Sequence, residues 1–166
     1  MSKRPGRAVA TWALSSRHSG DAREGFQSMV GICADMAQRR SLRREAYQLL
    51  DRARSSLAQQ AFIECGCCLR EAVRIYLHDE CTHHGCLPKE KPGIYRTPPR
   101  VLAKRLTKKG VLGPKLGQWI GEIIEMSNKA AHLSFVPPRE LEAGIVMTKF
   151  FLDGTHLIPT KTGGQA

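Results

Sequence analysis

Residues 41–83 read SLRREAYQLLDRARSSLAQQAFIECGCCLREAVRIYLHDECTH, and their apolar pattern is the main evidence for the fold. Apolar side chains recur every three or four positions from Leu42 to Leu57, with arginines on the other faces. After a short break, the same period continues from about Ala61 to His83. Two amphipathic segments joined by a short break predict an antiparallel helical hairpin.

The sequence on both sides of this hairpin predicts further helices. Asp21-Ala22-Arg23-Glu24 has the spacing of a capping box and predicts a short helix to about Arg39. Ser41 has the residue type that caps the next helix. Beyond the hairpin, glycines and prolines mark a loop and the ends of three more helices. These predicted segments are the loop Leu87–Thr97, a helix from Thr97 to Lys109, a helix from Leu116 to Ala131, and a helix from Val136 through Leu152.

The composition of the 166 residues favours helices over sheets, because hydrophobic residues make up 42% and aromatic residues only 6%. The predicted fold is all-α: a helical bundle of four principal helices plus one or two short extra helices. We expect residues 1–20 to be a basic flexible arm, residues 21–154 one helical domain, and residues 155–166 a flexible tail. No apolar run is long enough to span a bilayer, and the first 20 residues lack the apolar core of a secretory signal. We therefore expect a cytoplasmic protein with no membrane association.

The excess of positive charge predicts an anionic partner. The chain has 26 Lys and Arg against 15 Asp and Glu, a formal net charge of +11. Many of the cations lie between residues 89 and 115, opposed by a single glutamate. Arg100, Lys104 and Lys108 follow at i, i+4 and i+8, so on a helix they share one face that can contact phosphates, and Tyr95 can stack on a base. The alternative is a solvated basic face. The candidate nucleic-acid-binding residues are Lys89, Lys91, Tyr95, Arg96, Arg100, Lys104, Arg105, Lys108 and Lys109.

Six cysteines raise the question of disulfides or metal ligation. Three of them fall within residues 65–68 inside a helical pattern, so we expect reduced thiols. Cys81, either His83 or His84, and Cys86 can supply three zinc ligands around a turn, and a fourth is not evident. A helix separates the cysteines of residues 65–68 from Cys81 by about 20 Å, so the two groups cannot share an ion. The alternative is that the cysteines are small core residues and the histidines a solvated helix end. We expect no other cofactor.

A polar stripe ends the helix that runs to Ala131. Glu125, Asn128 and His132 share one helix face because they are three or four residues apart. The neighbouring stripe is apolar and comprises Leu116, Ile120, Ile123 and Ala130. Such a polar stripe is either a solvated face or a site, and a histidine there can exchange protons near neutral pH.

Three stretches carry a likeness to a known family. They are Glu45 through Leu57, then Gln60-Ala61-Phe62-Ile63 leading into Cys68-Leu69-Arg70-Glu71-Ala72-Val73, and Ser127-Asn128-Lys129-Ala130-Ala131-His132. Together they resemble the HEPN superfamily, most closely its DUF4145-like branch, which carries Leu-Arg-x-x-aliphatic on the second helix and Gly-Asn-x-Ala-Ala-His at the end of the fourth. The resemblance covers roughly residues 41–153. It implies a helical bundle that pairs through the helices bearing Asn128 and His132.

Many HEPN proteins are metal-independent endoribonucleases, and the resemblance carries their roles to three positions. It makes His132 the general acid/base and Asn128 the polar residue, but the family's arginine position holds Ser127, which offers one neutral donor instead of a guanidinium. Arg70 on the second helix is the candidate replacement. The alternative is structural: Asn128 and His132 hydrogen-bond to Arg70 or Glu71, and Arg70 and Glu71 form a buried ion pair that fixes the helix register.

Three functions stay open at this point. The favoured one is a non-catalytic, HEPN-like domain that binds nucleic acid, RNA more than DNA, within a defence, toxin or mobile-element system, as a homodimer or a subunit of a larger assembly. The second is a metal-independent endoribonuclease that uses His132. The third is a structural adaptor whose basic surface binds an acidic protein.

Overall fold

The computed structural model describes the backbone of residues 19–88 and 97–154, and the side chains from residue 33 onward within those ranges. Every regular element there is a helix, which confirms the all-α fold class. The helices are α1 (Ser19–Ala58), α2 (Phe62–His83), α3 (Pro99–Lys108), α4 (Pro114–Ala131) and α5 (Pro138–Leu152). The predicted basic arm over residues 1–20, except its last two residues, the predicted tail over 155–166 and most of the predicted loop after Leu87 lie outside the described residues.

Prolines and glycines delimit the later helices as the sequence predicts. α3, α4 and α5 each have a proline in the first turn, where the missing N–H costs nothing. Gly85, Gly110 and Gly154 have positive φ angles of 57°, 76° and 73° just after α2, α3 and α5. That conformation ends a helix at little steric cost only when the residue has no side chain.

The predicted break between a first helix ending near Arg39 and a second capped by Ser41 is wrong. α1 continues through both positions, so Ser41 is an interior helix residue. No glycine or proline lies between residues 32 and 58, and an interior serine weakens a helix by well under about 1 kcal/mol. Arg39 and Arg43 also lie one turn apart on the same face, where both bind carboxylates of α2.

The chain divides within α1 into two units, Met1–Ala37 and Gln38–Ala166. In the first unit the described part is the stretch of α1 from residue 19 to residue 37. The buried apolar side chains of the described residues all belong to the second unit, between Ala46 and Leu152. The hydrophobic core is therefore a property of the second unit.

Helix α2 is the centre of this core and packs against α3, α4 and α5. Its buried apolar side chains are Cys65, Cys68, Leu69, Ala72, Val73, Ile75, Tyr76, Leu77 and Cys81. Gly66 permits the closest approach to α4, because a Cβ atom there would lie 2.6 Å from the Cβ of Ala130 and 2.9 Å from the backbone nitrogen of Ala131. The carboxyl end of α4 is thus held against the amino-terminal part of α2.

A buried charge cluster joins α1 to the last turns of α2. Glu80 accepts hydrogen bonds from Arg39 at 3.1 Å and Arg43 at 3.0 Å, and Arg39 lies 3.3 Å from Asp79. Glu80 has no exposed side-chain surface and Asp79 has 3%. Buried carboxylates need such partners, since a buried charge without one costs several kcal/mol.

No helix in the described ranges combines the length and apolarity that crossing a membrane requires.

Candidate nucleic-acid interface

Helix α3 presents one face to the core and the opposite one to solvent. Leu102, Ala103 and Leu106 are buried. Arg100, Lys104 and Lys108 are exposed and follow one another at helical spacing, as the sequence predicts. We call these three residues the α3 basic face. Burial of the apolar stripe fixes the orientation of this ten-residue helix. The three cations therefore face solvent in a row.

The α3 basic face is largely free of carboxylates. Neither Lys104 nor Lys108 forms an ion pair with another side chain of the described ranges. The nearby Arg105 and Lys109 are used differently, because they donate to the backbone carbonyl oxygens of Cys86, at 3.3 Å, and His84. Lys104 and Lys108 are therefore the cations of α3 most available to an outside anion.

A groove of about 730 Å³ runs between α3 and α4 beside this face. It is lined by small residues, Ala103 and Thr107 on α3 and Gly117 and Gly121 on α4. A Cβ atom at Gly117 would lie 2.5 Å from the Thr107 hydroxyl, so the glycine allows the two helices to approach. One rim of the groove is the α3 basic face, and the other is polar and acidic, with Gln118, Glu122 and Glu125.

Glu125 connects the two rims of the groove. Its carboxylate accepts from Arg100 at 3.3 Å and from Lys129 at 3.0 Å. The hydrogen bond from Lys129, followed by the charges of Lys129 and Arg100, lowers the pKa of Glu125. All three side chains are more than half exposed, so water and salt screen both pairs and each contributes little to stability. Such contacts can exchange for a phosphate at small cost.

Four of the predicted nucleic-acid-binding residues, Lys89, Lys91, Tyr95 and Arg96, lie outside the described residues. The other five, from Arg100 to Lys109, are all exposed. Three of those five form the α3 basic face. The structure therefore gathers part of the predicted set on one helix and leaves the rest as predictions.

The residues assigned to catalysis by resemblance are not joined by side-chain contacts. Within the described ranges no hydrogen bond or ion pair links Arg70, Asn128 and His132. His132 follows the last residue of α4 and is exposed. The proposed pair of Arg70 with Glu71 is wrong for this chain, because Glu71 lies 3.5 Å from Arg74, one helical turn away on the same side of α2.

Ser127 has a packing role at the position where the family has an arginine. It is fully buried, and its hydroxyl donates to the carbonyl oxygen of Ile124 at 3.1 Å. Its own carbonyl oxygen would be 3.0 Å from a Cβ atom on Gly66. An arginine at 127 has no room in this α2–α4 contact, so a cation for catalysis would have to come from elsewhere.

The predicted zinc ligands have different surroundings. Cys81 is fully buried and its thiol donates to the Leu102 carbonyl oxygen at 3.6 Å, while burial and the Cys86 thiol raise its pKa. His84 packs against Glu80, with 3.5 Å between nitrogen and oxygen, and His83 is exposed. Among the described side chains, no three of the His, Cys, Asp and Glu residues are placed to hold a metal ion together.

The loop from α4 to α5 contains two exposed apolar residues that are not among the predicted site residues. Leu133 and Phe135 are 80% and 84% exposed, the highest values among the large apolar side chains described. The available signal was two apolar residues in the short segment between the end of α4 and the prolines that open α5.

Comparison of the chain with protein-family models, with curated proteins and with solved structures finds no match.

Proposed function

We propose that this chain is a nucleic-acid-binding domain that contacts the phosphate backbone through the α3 basic face. The observation that carries the proposal is a row of three exposed cations, two of them without a carboxylate partner in the described ranges, on a chain of net charge +11. Successive members are four residues, or about 6 Å, apart along the helix. This spacing is close to the separation of neighbouring phosphates in an extended single strand.

The ion pairs elsewhere in the described ranges support this choice of surface. The arginines near Asp79 and Glu80 are committed to buried carboxylates, and Lys149 on α5 pairs with Asp153 at 2.9 Å. Lys104 and Lys108 have no such partner among the described side chains. A nucleic acid releases condensed counterions when lysines neutralise its phosphates, so binding through Lys104 and Lys108 should depend on salt.

We propose RNA rather than DNA as the partner, within a defence, toxin or mobile-element system and as a homodimer or a subunit of a larger assembly. The support for these finer assignments is the resemblance of residues 41–153 to HEPN domains. Catalysis has less support, because Ser127 is buried and no described side chain places a guanidinium against His132.

The test is fluorescence anisotropy of a labelled, mixed-sequence single-stranded RNA with the full chain over a range of KCl concentrations. Lys104→Ala/Lys108→Ala should weaken binding and lower the slope of log K against log salt by about 1.4, since each lost phosphate contact on a single strand accounts for about 0.7. The matched control is Arg54→Ala/Lys149→Ala, which removes the same charge from α1 and α5. Both control residues are exposed and paired with carboxylates.

Equal losses in the two double variants would contradict a site on α3 and leave only attraction by net charge. No binding by the wild type at low salt would favour the adaptor for an acidic protein. In the same samples, made with EDTA, RNA cleavage that His132→Ala abolishes would instead assign the ribonuclease.

A further inference from the structure

The α3 basic face continues onto the end of α4. Arg100 and Lys129 meet on the two oxygens of Glu125, at 3.3 and 3.0 Å, and His132 follows Lys129 after one helical turn. From Lys108 to Arg100 the line runs about 12 Å along α3, and from Glu125 to His132 about 10 Å along α4. We call this continuous line of side chains the basic track. Its length of roughly 20 Å suits three or four nucleotides of an extended strand.

Three residues after His132, where the basic track ends, is the most exposed aromatic ring of the described residues. Phe135 is 84% exposed, and Leu133 beside it is 80% exposed. Leu133 also has a φ of 63°, in the left-handed region that is strained for a residue with a side chain. A glycine would adopt this φ without strain. Leu133 is exposed, so burial of its side chain does not compensate for the strain. Strained, exposed apolar residues point to a function outside the fold.

We propose that the basic track binds a single strand and that an unpaired base of this strand stacks on the ring of Phe135. This inference rests on the proposed function and names its substrate class. Stacking needs a free base face, which a strand offers and a duplex withholds, because paired bases already stack on their neighbours. Phosphates along the track and a base on Phe135 combine the two contacts that proteins use for single strands.

The surroundings of Phe135 favour a nucleic acid over an apolar protein surface. Lys129 and Arg139 on either side of the loop are exposed cations, and His132 lies between them in sequence. An apolar protein surface would have to desolvate these charges without compensation. A strand supplies phosphates for the cations and a base for the ring at the same time.

The experiment compares Phe135→Ala with the wild type on three labelled RNAs of equal length: a single strand, a duplex, and a single strand in which all bases are removed. We expect Phe135→Ala to lower affinity for the intact single strand about tenfold, within the range known for loss of one base–aromatic stack. Affinity for the duplex and the abasic strand should not change. Phe135→Tyr should restore single-strand binding, because it keeps an aromatic face.

The salt slope separates stacking from phosphate contacts. Phe135→Ala removes no charge, so its slope should equal that of the wild type, whereas Lys104→Ala/Lys108→Ala lowers it. Val146→Ala is the matched control, since Val146 is another exposed apolar residue, on α5. It should bind the single strand as the wild type does. Because Phe135 is exposed, its truncation should leave the thermal unfolding midpoint unchanged.

The same measurements separate a failure of base stacking on Phe135 from a failure of phosphate binding on α3. If Phe135→Ala binds all three RNAs like the wild type while the lysine variant loses affinity, the α3 site stands and the stacking is overturned. Equal loss on the intact and the abasic strand would also overturn stacking. A wild-type dimer in sedimentation that Phe135→Ala dissociates would show that a second copy of the chain occupies the loop instead.

Discussion

Asp79 and Glu125 each lie between two cationic side chains, Asp79 in a buried cluster and Glu125 in an exposed one. The contacts are Asp79 with Arg39 and Arg43, at 3.3 and 3.6 Å, and Glu125 with Arg100 and Lys129, at 3.3 and 3.0 Å. Their pKa values move in opposite directions. Burial raises the pKa of Asp79 against the lowering effect of its arginines, whereas the hydrogen bond and charge of Lys129 lower the pKa of Glu125.

The difference shows which cations are available for function. The arginines at the buried cluster compensate carboxylates that water cannot reach, so removing either partner strands a charge. The cations at Glu125 are solvated with or without it, so a phosphate can take its place. Ion pairs of similar length thus hold the fold in one place and leave an exchangeable surface in the other.

The largest effect is expected from removing Glu80, the central carboxylate of the buried cluster. Glu80→Ala removes the fully buried carboxylate that Arg39 and Arg43 contact at 3.1 and 3.0 Å, and leaves both arginines with Asp79. We expect a loss of about 3 kcal/mol in the free energy of unfolding, because breaking one side of a buried pair exposes the full desolvation cost of the other. Urea denaturation followed by circular dichroism measures it.

The control for this prediction is Glu64→Ala, which breaks an exposed pair with Arg52 at 3.5 Å between the same two helices. Its loss should be below about 1 kcal/mol. Similar losses for the two variants would show that burial does not distinguish the clusters.

The second prediction concerns the exposed cluster. Glu125→Gln releases Arg100 and Lys129, so RNA no longer has to displace a carboxylate. We expect about fivefold tighter binding of single-stranded RNA at low salt, since two weak, exposed ion pairs need not be broken. Titrations by anisotropy measure the affinity, and the thermal unfolding midpoint should stay close to that of the wild type.

Glu122→Gln is the matched control. It removes the same charge from α4, one turn earlier, and its carboxylate accepts from Gln118 at 2.9 Å and has no cationic partner in the described ranges. A gain equal to that of Glu125→Gln would mean that net charge alone sets the affinity and that displacement of Glu125 contributes nothing.

The helices of this fold could be predicted from the sequence, because burial of an apolar stripe imposes its period on the chain. The period places α2 and α5 almost at their observed ends, and proline with glycine places α3 and α4. The break near Ser41 was predicted from a residue type that is common at caps but also tolerated inside helices. Arg39 and Arg43, on either side of Ser41, pair with α2, and this contact is not local in sequence.

The candidate site could be predicted only in part, for the same physical reason. The spacing of Arg100, Lys104 and Lys108 indicates one face, and that face is exposed. The pairing of Arg100 with Glu125 joins two helices and needs their packing to be known. Exposure of Phe135 could not be predicted either, because an apolar residue in a short loop is as often buried under its neighbours as left in water.

Asp79 and Glu125 should also differ in how they titrate, and this difference has the smallest expected effect on stability. Because the pKa of Asp79 is raised above its ordinary 3.8, the folded chain holds that proton longer than the unfolded chain. Stability from Asp79 is therefore full in acid and falls as pH rises from about 3.8 through the raised pKa. Glu125 behaves oppositely: its stabilising effect is present above the ordinary 4.5 and falls as pH drops through the lowered pKa.

Carbon-13 NMR of the side-chain carboxyl groups between pH 2.5 and 7 measures both titrations, with Asp79→Asn and Glu125→Gln providing the assignments. We expect Asp79 to titrate above its ordinary range and Glu125 below its own. Asp79→Asn should also make stability rise more steeply with pH in this window, since it removes a group that favours the protonated folded state. An Asp79 signal that titrates below 3.8 would show that its arginines outweigh burial, and the two clusters would then differ only in accessibility.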